Sequence, residues 1–502
     1  MSAEAPLSAS ESAGGPPAGA ARLVIRNATW LVAAQAAATP VAMAVNGVMG
    51  RRLGAADYGH LYLAATALGF GFLLVEFGQP TALPALVARD RARAGELLGA
   101  ALSWRAASGL AVYAVVGGGC LALGCDPALR TAVAFLALSL GLGSLARACQ
   151  DAIRGFERMD IAAAGLVGQQ LLGALLVVPT LLLGGELLGY LLAQAAAAAI
   201  GLLGIALALR FVGISGLSLR RRAFEALRRE GAPFLLLDLA VAAQPNVDAI
   251  LLGKLAPAAV VGWHAASLKL TGALIFPAAS LITALYPTLS RLRSADPAGY
   301  RATAGLGLRA AAIMAVPLAL GCGLYPELGV RIFGERGFAP ATANLQILSV
   351  HVFLLYFSMT LGSCLSAAGR QRPWALAQVG CFFASGALDL LLIPWFQRRT
   401  GNGGLGVGTS LVLCEVFMLA AAVALVPKEI FQRALLGKLL RTALAGASMI
   451  LVARLLAGWP PLASASVAGA AYLASLWVFG AVDRSEILGL RALFRRQPAG
   501  SP

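Results

Sequence analysis

A chain of 502 residues that is 59% hydrophobic and 12% charged, with a mean hydropathy of +0.79, cannot clothe itself in a water-facing surface and reads as an integral membrane protein. Apolar runs of about 20 residues recur, each long enough to cross the hydrocarbon core as a helix, and the short alternating segments of a barrel are missing. The net charge of +16 requires no nucleic acid, because most of the Lys and Arg fall in loops on one side of the membrane.

Residues 1–22, rich in Ser, Ala, Gly and Pro with neither a basic start nor an apolar run, read as a disordered tail and not as a signal peptide. Six spans follow, near 23–49, 61–88, 97–123, 131–150, 161–183 and 187–209. They make an N-lobe over 23–210. A charged stretch at 211–231 with apolar Leu219, Phe224 and Leu227 is too short and polar to span and reads as an amphipathic linker along the inner membrane surface. Six more spans, near 232–255, 258–290, 303–325, 343–368, 374–396 and 405–426, make a C-lobe over 232–427. Two further helices lie within 428–482, and a basic tail at 483–502 ends the chain. The expected fold is an all-α polytopic membrane protein of about fourteen helices, with both termini cytoplasmic by the positive-inside rule.

The two lobes echo each other. Arg51 to Tyr62 (RRLGAADYGHLY) and Lys254 to His264 (KLAPAAVVGWH) share a basic residue, Leu, small residues, Gly and an aromatic between apolar runs. Pro40 and Pro245 lie within the leading helices, and Pro179 answers to Pro394. Such self-similarity marks a fold of two pseudo-symmetric lobes with a substrate path between them. The seven cysteines show no metal-like pattern and read as small apolar packers. No metal, no cofactor and no enzyme activity are expected: the loop at 326–342 offers only Glu327 and Glu335 beside Arg331 and Arg336, and no GxxxxGK[ST] run occurs.

The runs GRRLGAADYGHLYLAATALG, ARDRARAGELLGAALSWR, PNVDAILLGKL, VGWHAASLKL and ALYPTLSRL resemble the oligosaccharide flippases of the multidrug/oligosaccharidyl-lipid/polysaccharide exporter superfamily. The resemblance covers spans one to twelve. It implies a V-shaped bundle of two lobes in a bacterial cytoplasmic membrane. Such a bundle moves polyprenyl-pyrophosphate-linked oligosaccharide to the outer leaflet by alternating access, for surface polysaccharide synthesis. The last two helices are then suspected of making a groove for the lipid tail, and a polysaccharide polymerase or export proteins become candidate partners. A multidrug or organic-cation exporter and a peptidoglycan-precursor flippase of the same superfamily remain as alternatives.

Ionisable groups inside spans are costly and usually face a cavity or a partner. Lys269, Arg105 and Arg309 are the expected contacts for the headgroup, with snorkelling to the inner interface as the competing reading for the two arginines. Among the carboxylates Glu76, Asp238, Asp248, Asp389 and Glu415, the residues Glu76, Asp248 and Glu415 are expected to couple to a cation or to pair with a base. Asp248 is expected to pair with Lys254, Arg51 or Arg52 at an outer gate. Gln35, Asn46, Gln79, Gln169, Gln170, Gln194, Gln244, Asn246 and Gln378 either line the sugar path or bond between helices. Tyr58, Tyr62, Trp263 and Tyr286 read as an interfacial aromatic belt, and His60 and His264 as matched histidines after the two hairpins.

Overall fold

The computed structural model describes residues 18–482 apart from Ser215. In chain order the helices are α1 (Ala18–Glu76), α2 (Gln79–Arg89), α3 (Ala94–Ala122), α4 (Pro127–Gly155), α5 (Met159–Leu182), α6 (Leu187–Val212), α7 (Arg221–Leu255) and α8 (Ala258–Ala295). They continue with α9 (Pro297–Leu324), the short α10 (Pro326–Val330) and α11 (Glu335–Phe338), then α12 (Ala341–Ala367), α13 (Gln371–Thr400), α14 (Gly404–Leu425), α15 (Arg433–Leu455) and α16 (Pro461–Val478). No strand occurs among the described residues.

Twelve segments are long and apolar enough to cross a membrane, and two spans escape that test for physical reasons. Gly54 inside α1 takes φ 78 and ψ 176, and the chain turns back there. Tyr58 Oη donates to Asn46 Oδ1 at 3.0 Å, although twelve residues of unbroken helix would hold the two about 18 Å apart. Glycine adopts that φ without a Cβ penalty, so one long apolar run becomes a hairpin of two arms, 18–53 and 55–76. The other escapee is α7, whose first turns carry the linker's charges. With α1 split and α7 included, the described residues hold fourteen candidate spans.

Packing repeats between the halves. α4 lies along α3 and α6 as α12 lies along α9 and α14, while α5 packs on α6 and α1 as α13 packs on α14 and α7. The turns between α4 and α5 and between α12 and α13 each put one residue in the left-handed region, Glu157 at φ 62 and Gly369 at φ 73. The two outer hairpins meet through reciprocal backbone contacts. A Cβ on Gly59 would sit 1.9 Å from the Ala258 carbonyl oxygen, and one on Gly262 would sit 2.0 Å from that of Ala55. This register matches Gly59 with Gly262 and therefore His60 with Trp263, so the two histidines are not structural equivalents.

The linker departs from expectation. Residues 221–230 are the first turns of α7, and Ala223 and Leu227 are buried among Leu83, Val87, Leu97 and Leu98 at the inner end of the N-lobe. Its apolar face is thus spent on protein instead of on lipid, and Leu219 stays exposed. At the other end of the chain, α15 and α16 pack on each other and on α9, where Tyr472 Oη donates to Ile313 O at 2.9 Å. Residues 18–22 belong to α1 and not to a tail; the expected tails at 1–17 and 483–502 lie outside the described residues.

Candidate functional site

A cavity of about 640 Å³ lies inside the N-lobe between α1, α4, α5 and α6. Its lining runs from Arg154, beside the inner end of α4, to Met49, little more than a turn short of the Gly54 hairpin. Tyr58 closes the region above, buried and packed edge-on against Phe333 and Phe338 at 5.6 and 5.7 Å. It is a core residue, not a member of an interfacial belt.

The second arm of α1 breaks at Phe77 and Gly78, which take φ 48 and 67. A Cβ on Gly78 would lie 2.2 Å from the Gly231 carbonyl oxygen, so close passage of α7 demands glycine there. Glu76, the last residue before this break, lines the cavity, and Arg147 Nε donates to its Oε1 at 2.7 Å. Deeper in the wall, Arg105 donates to Gln79 Oε1 at 2.9 Å, to the Ser144 carbonyl at 2.8 Å and to Asp151 Oδ2 at 3.1 Å. Arg154 approaches the other oxygen of Asp151 at 3.4 Å. Three guanidinium groups thus stand against two carboxylates, with Gln150, Gln169, Gln170 and Gln194 completing a polar lining. Arg147 and Arg154 keep part of their surface free toward the cavity, so the wall can offer planar donors to an anion.

The three bases expected to converge on a headgroup do not meet. Arg105 is fully buried behind Asp151 and does not line the cavity; it fixes the acid that does. Arg309 is buried on α9 and its guanidinium bonds the Ala481 carbonyl, so it clamps the end of α16. Neither arginine snorkels. Lys269 sits on α8, exposed, beside Ala266 and Leu270, which pack into the cluster shared with α1, and so stands at the seam between lobes. Among the described residues it has no ion-pair partner. The i, i+4, i+7 spacing of Arg147, Asp151 and Arg154 marks one face of α4, although the span expected near 131–150 stops short of Asp151 and Arg154.

A second polar cluster lies in the C-lobe. Ser385 Oγ donates to Asp248 Oδ1 at 3.2 Å and lies 3.4 Å from Ser410 Oγ. Asp389 is fully buried, and its polar neighbours are the Asp248 carboxyl and the Ser410 hydroxyl. Two adjacent carboxyls in so apolar a setting hold at most one charge unless a cation joins them. Glu415 accepts from Ser358, with His351 Nδ1 4.0 Å away. The expected pairing of Asp248 with a gate base does not occur: Lys254 lies further along α7 and is exposed, and so is Arg52. Arg51 instead donates to the carbonyls of Ile332 and Arg331, both at 2.9 Å, and Trp263 Nε1 donates to Gly337 O at 2.8 Å. Both hairpins are therefore held by side chain to backbone bonds onto the loop that carries α10 and α11. No group of three or more metal-ligating side chains occurs among the described residues.

Comparison with solved structures places this fold among transporters. The lipid II flippase MurJ, in an inward closed conformation, superposes with a TM-score of 0.68 at 11% identity over 89% of this chain and 98% of that one. An inward-facing multidrug resistance MATE family transporter of the MOP superfamily gives 0.62 at 16% identity over 77% and 92%. A MOP superfamily transporter from Pyrococcus furiosus, described as having a binding pocket of reverse polarity, gives 0.52 at 15% identity over 80% and 93%. Curated proteins yield no sequence match. The model of the family described as polysaccharide biosynthesis protein matches residues 24–293, more than half of the chain and the whole of the N-lobe, cavity included. By that match the chain belongs to the polysaccharide biosynthesis protein family, and it shares its helical fold with the transporter structures above.

Proposed function

We propose that this flippase moves a polyprenyl-pyrophosphate-linked oligosaccharide from the inner to the outer leaflet of a bacterial cytoplasmic membrane. The observation that carries the reading is the N-lobe cavity, whose wall sets three guanidinium groups against two carboxylates beneath a sealed outer hairpin. A pyrophosphate entering from the inner side competes with Glu76 for Arg147 and with Asp151 for Arg154, and the glutamines offer donors and acceptors to sugar hydroxyls. Lys269 at the seam meets the same headgroup as it crosses between lobes. The carboxyl pair of Asp248 and Asp389 supplies the other half of the cycle: taking up a proton or a monovalent cation removes a repulsion inside the C-lobe and changes its packing against α7, α13 and α14. The work is transport without covalent chemistry, its termini face the cytoplasm, and a polymerase or export partner consumes the product outside.

The test is translocation in proteoliposomes, with a polyprenyl-pyrophosphate oligosaccharide in one set and a lipophilic cationic dye in another. Movement of the sugar lipid without dye efflux is expected. Dye efflux alone would transfer the chain to the organic-cation reading, for which Glu76 and Asp151 are the cavity's acids. Lys269→Ala is expected to lose translocation and Lys269→Arg to keep part of it; equal activity in both removes Lys269 from the path.

A further inference from the structure

The outer end of α3 closes in a way that brings two thiols together. After Ala122 the chain passes through Leu123 to Gly124, which takes φ 62. The Gly124 amide donates to Leu121 O at 3.1 Å and the Cys125 amide to Cys120 O at 3.0 Å. That pair of bonds is the Schellman termination of a helix, and it sets the side chains at its first and last positions against each other. Here both positions are cysteine. The two thiols lie within hydrogen-bonding reach, and neither is fully buried. From the far side, Arg130 Nε of α4 donates to Cys125 O at 2.8 Å, and Asp126 Oδ1 accepts from the Ala128 amide at 2.8 Å. Cys125 is thus held to α3 by its amide and to α4 by its carbonyl before any covalent bond forms.

We propose that Cys120 and Cys125 are an oxidation site and stand as an intrachain disulfide in the mature protein. The inference rests on the orientation in the proposed function, which puts the α3–α4 turn on the external, oxidising side. The chemistry balances with an external disulfide as oxidant: a Cys thiolate attacks one of its sulfurs and expels a thiolate, and the second Cys thiolate then displaces the mixed disulfide. One S–S bond forms in the protein, one breaks in the oxidant, and the two protons and two electrons of the thiols leave with the reduced oxidant. A second thiol pair supplies the contrast. Cys381 and Cys414 on α13 and α14 each lie 3.7 Å from the other's carbonyl oxygen, but both are buried in the C-lobe interior, out of an oxidant's reach.

The experiment treats membranes holding the full chain with N-ethylmaleimide without reductant, digests, and maps the thiols by mass. The peptide from Ala106 to Arg130 is expected unalkylated and lighter by two hydrogens, gaining two labels only after reduction, while Cys381 and Cys414 label on denaturation alone. Alkylation of both Cys120 and Cys125 before reduction overturns the disulfide. A second measurement separates that failure from a failure of orientation. In Cys120→Ser, the lone Cys125 thiol is offered a membrane-impermeant maleimide in intact cells. Labelling from outside upholds the orientation even if the native pair proves reduced; labelling only after permeabilisation overturns orientation and disulfide together.

Discussion

The two lobes are built alike and furnished differently. Counting back from the equivalent left-handed turn residues Glu157 and Gly369, Arg147, Asp151 and Arg154 of α4 answer to Met359, Ser363 and Ser366 of α12. The N-lobe face is charged and borders a cavity; the C-lobe face is hydroxyls and thioether. Conversely, the buried Asp389 of α13 sits beside a second carboxyl, Asp248, in a C-lobe whose acids are set among serines. Duplication preserved the packing, which depends on shape, and let the charges diverge. In the function proposed above, one half receives an anion and the other changes its own charge.

That division can be broken from either side. The largest effect is expected in Arg105→Met, which strands Asp151 in the wall: losing one partner of a buried pair costs about 3–5 kcal/mol, read as a fall in thermal midpoint in detergent. The double variant Arg105→Met/Asp151→Leu is expected to recover most of that stability yet remain slow in transport, since Arg154 has lost the carboxylate that orients it and the cavity one of its two acids.

Next comes Arg147→Ala. It removes a charge-assisted hydrogen bond worth about 1.5–3 kcal/mol, and if the same guanidinium receives the headgroup, translocation falls roughly 10- to 100-fold with Arg147→Lys intermediate. Equal rates in all three proteins would take the cavity out of the substrate path. Asp389→Asn should leave substrate binding intact and abolish the response to an imposed cation or proton gradient, measured as initial rates with and without the gradient. An unchanged response would dissolve the functional contrast between lobes. The smallest effect belongs to Arg51→Ala, which deletes two bonds onto the outer loop at about 1 kcal/mol each. A few-fold gain in the outward-open population, followed by distances between spin labels on the two hairpins, is expected.

The fold was largely legible from one chain because its signals are collinear: span length, the side preferred by Lys and Arg, and the recurring hairpin all survive without a partner in view. The site was not. Depth in the membrane can be counted along a helix, and Arg105 and Arg309 were read as intramembrane on that basis. Which neighbour they face cannot be counted, and they proved to serve Asp151 and the Ala481 carbonyl. Arg147 was missed for the opposite reason: it lies within the span expected near 131–150, and only its spacing with Asp151 and Arg154 marks the face they share. Tyr58 shows the same limit, since nothing local announces that Phe333 and Phe338 will cover it.

The contact between the hairpins has the form of an isologous interface: Gly59 meets Ala258 as Gly262 meets Ala55, which is how two identical subunits meet across a two-fold axis. A half-length ancestor carrying one glycine at this place would have dimerised through it, and every substitution there would have counted twice. In the single chain the two glycines are separate positions, yet a Cβ at either would collide with a backbone carbonyl of the other hairpin, so alanine at one place alone forces both hairpins apart.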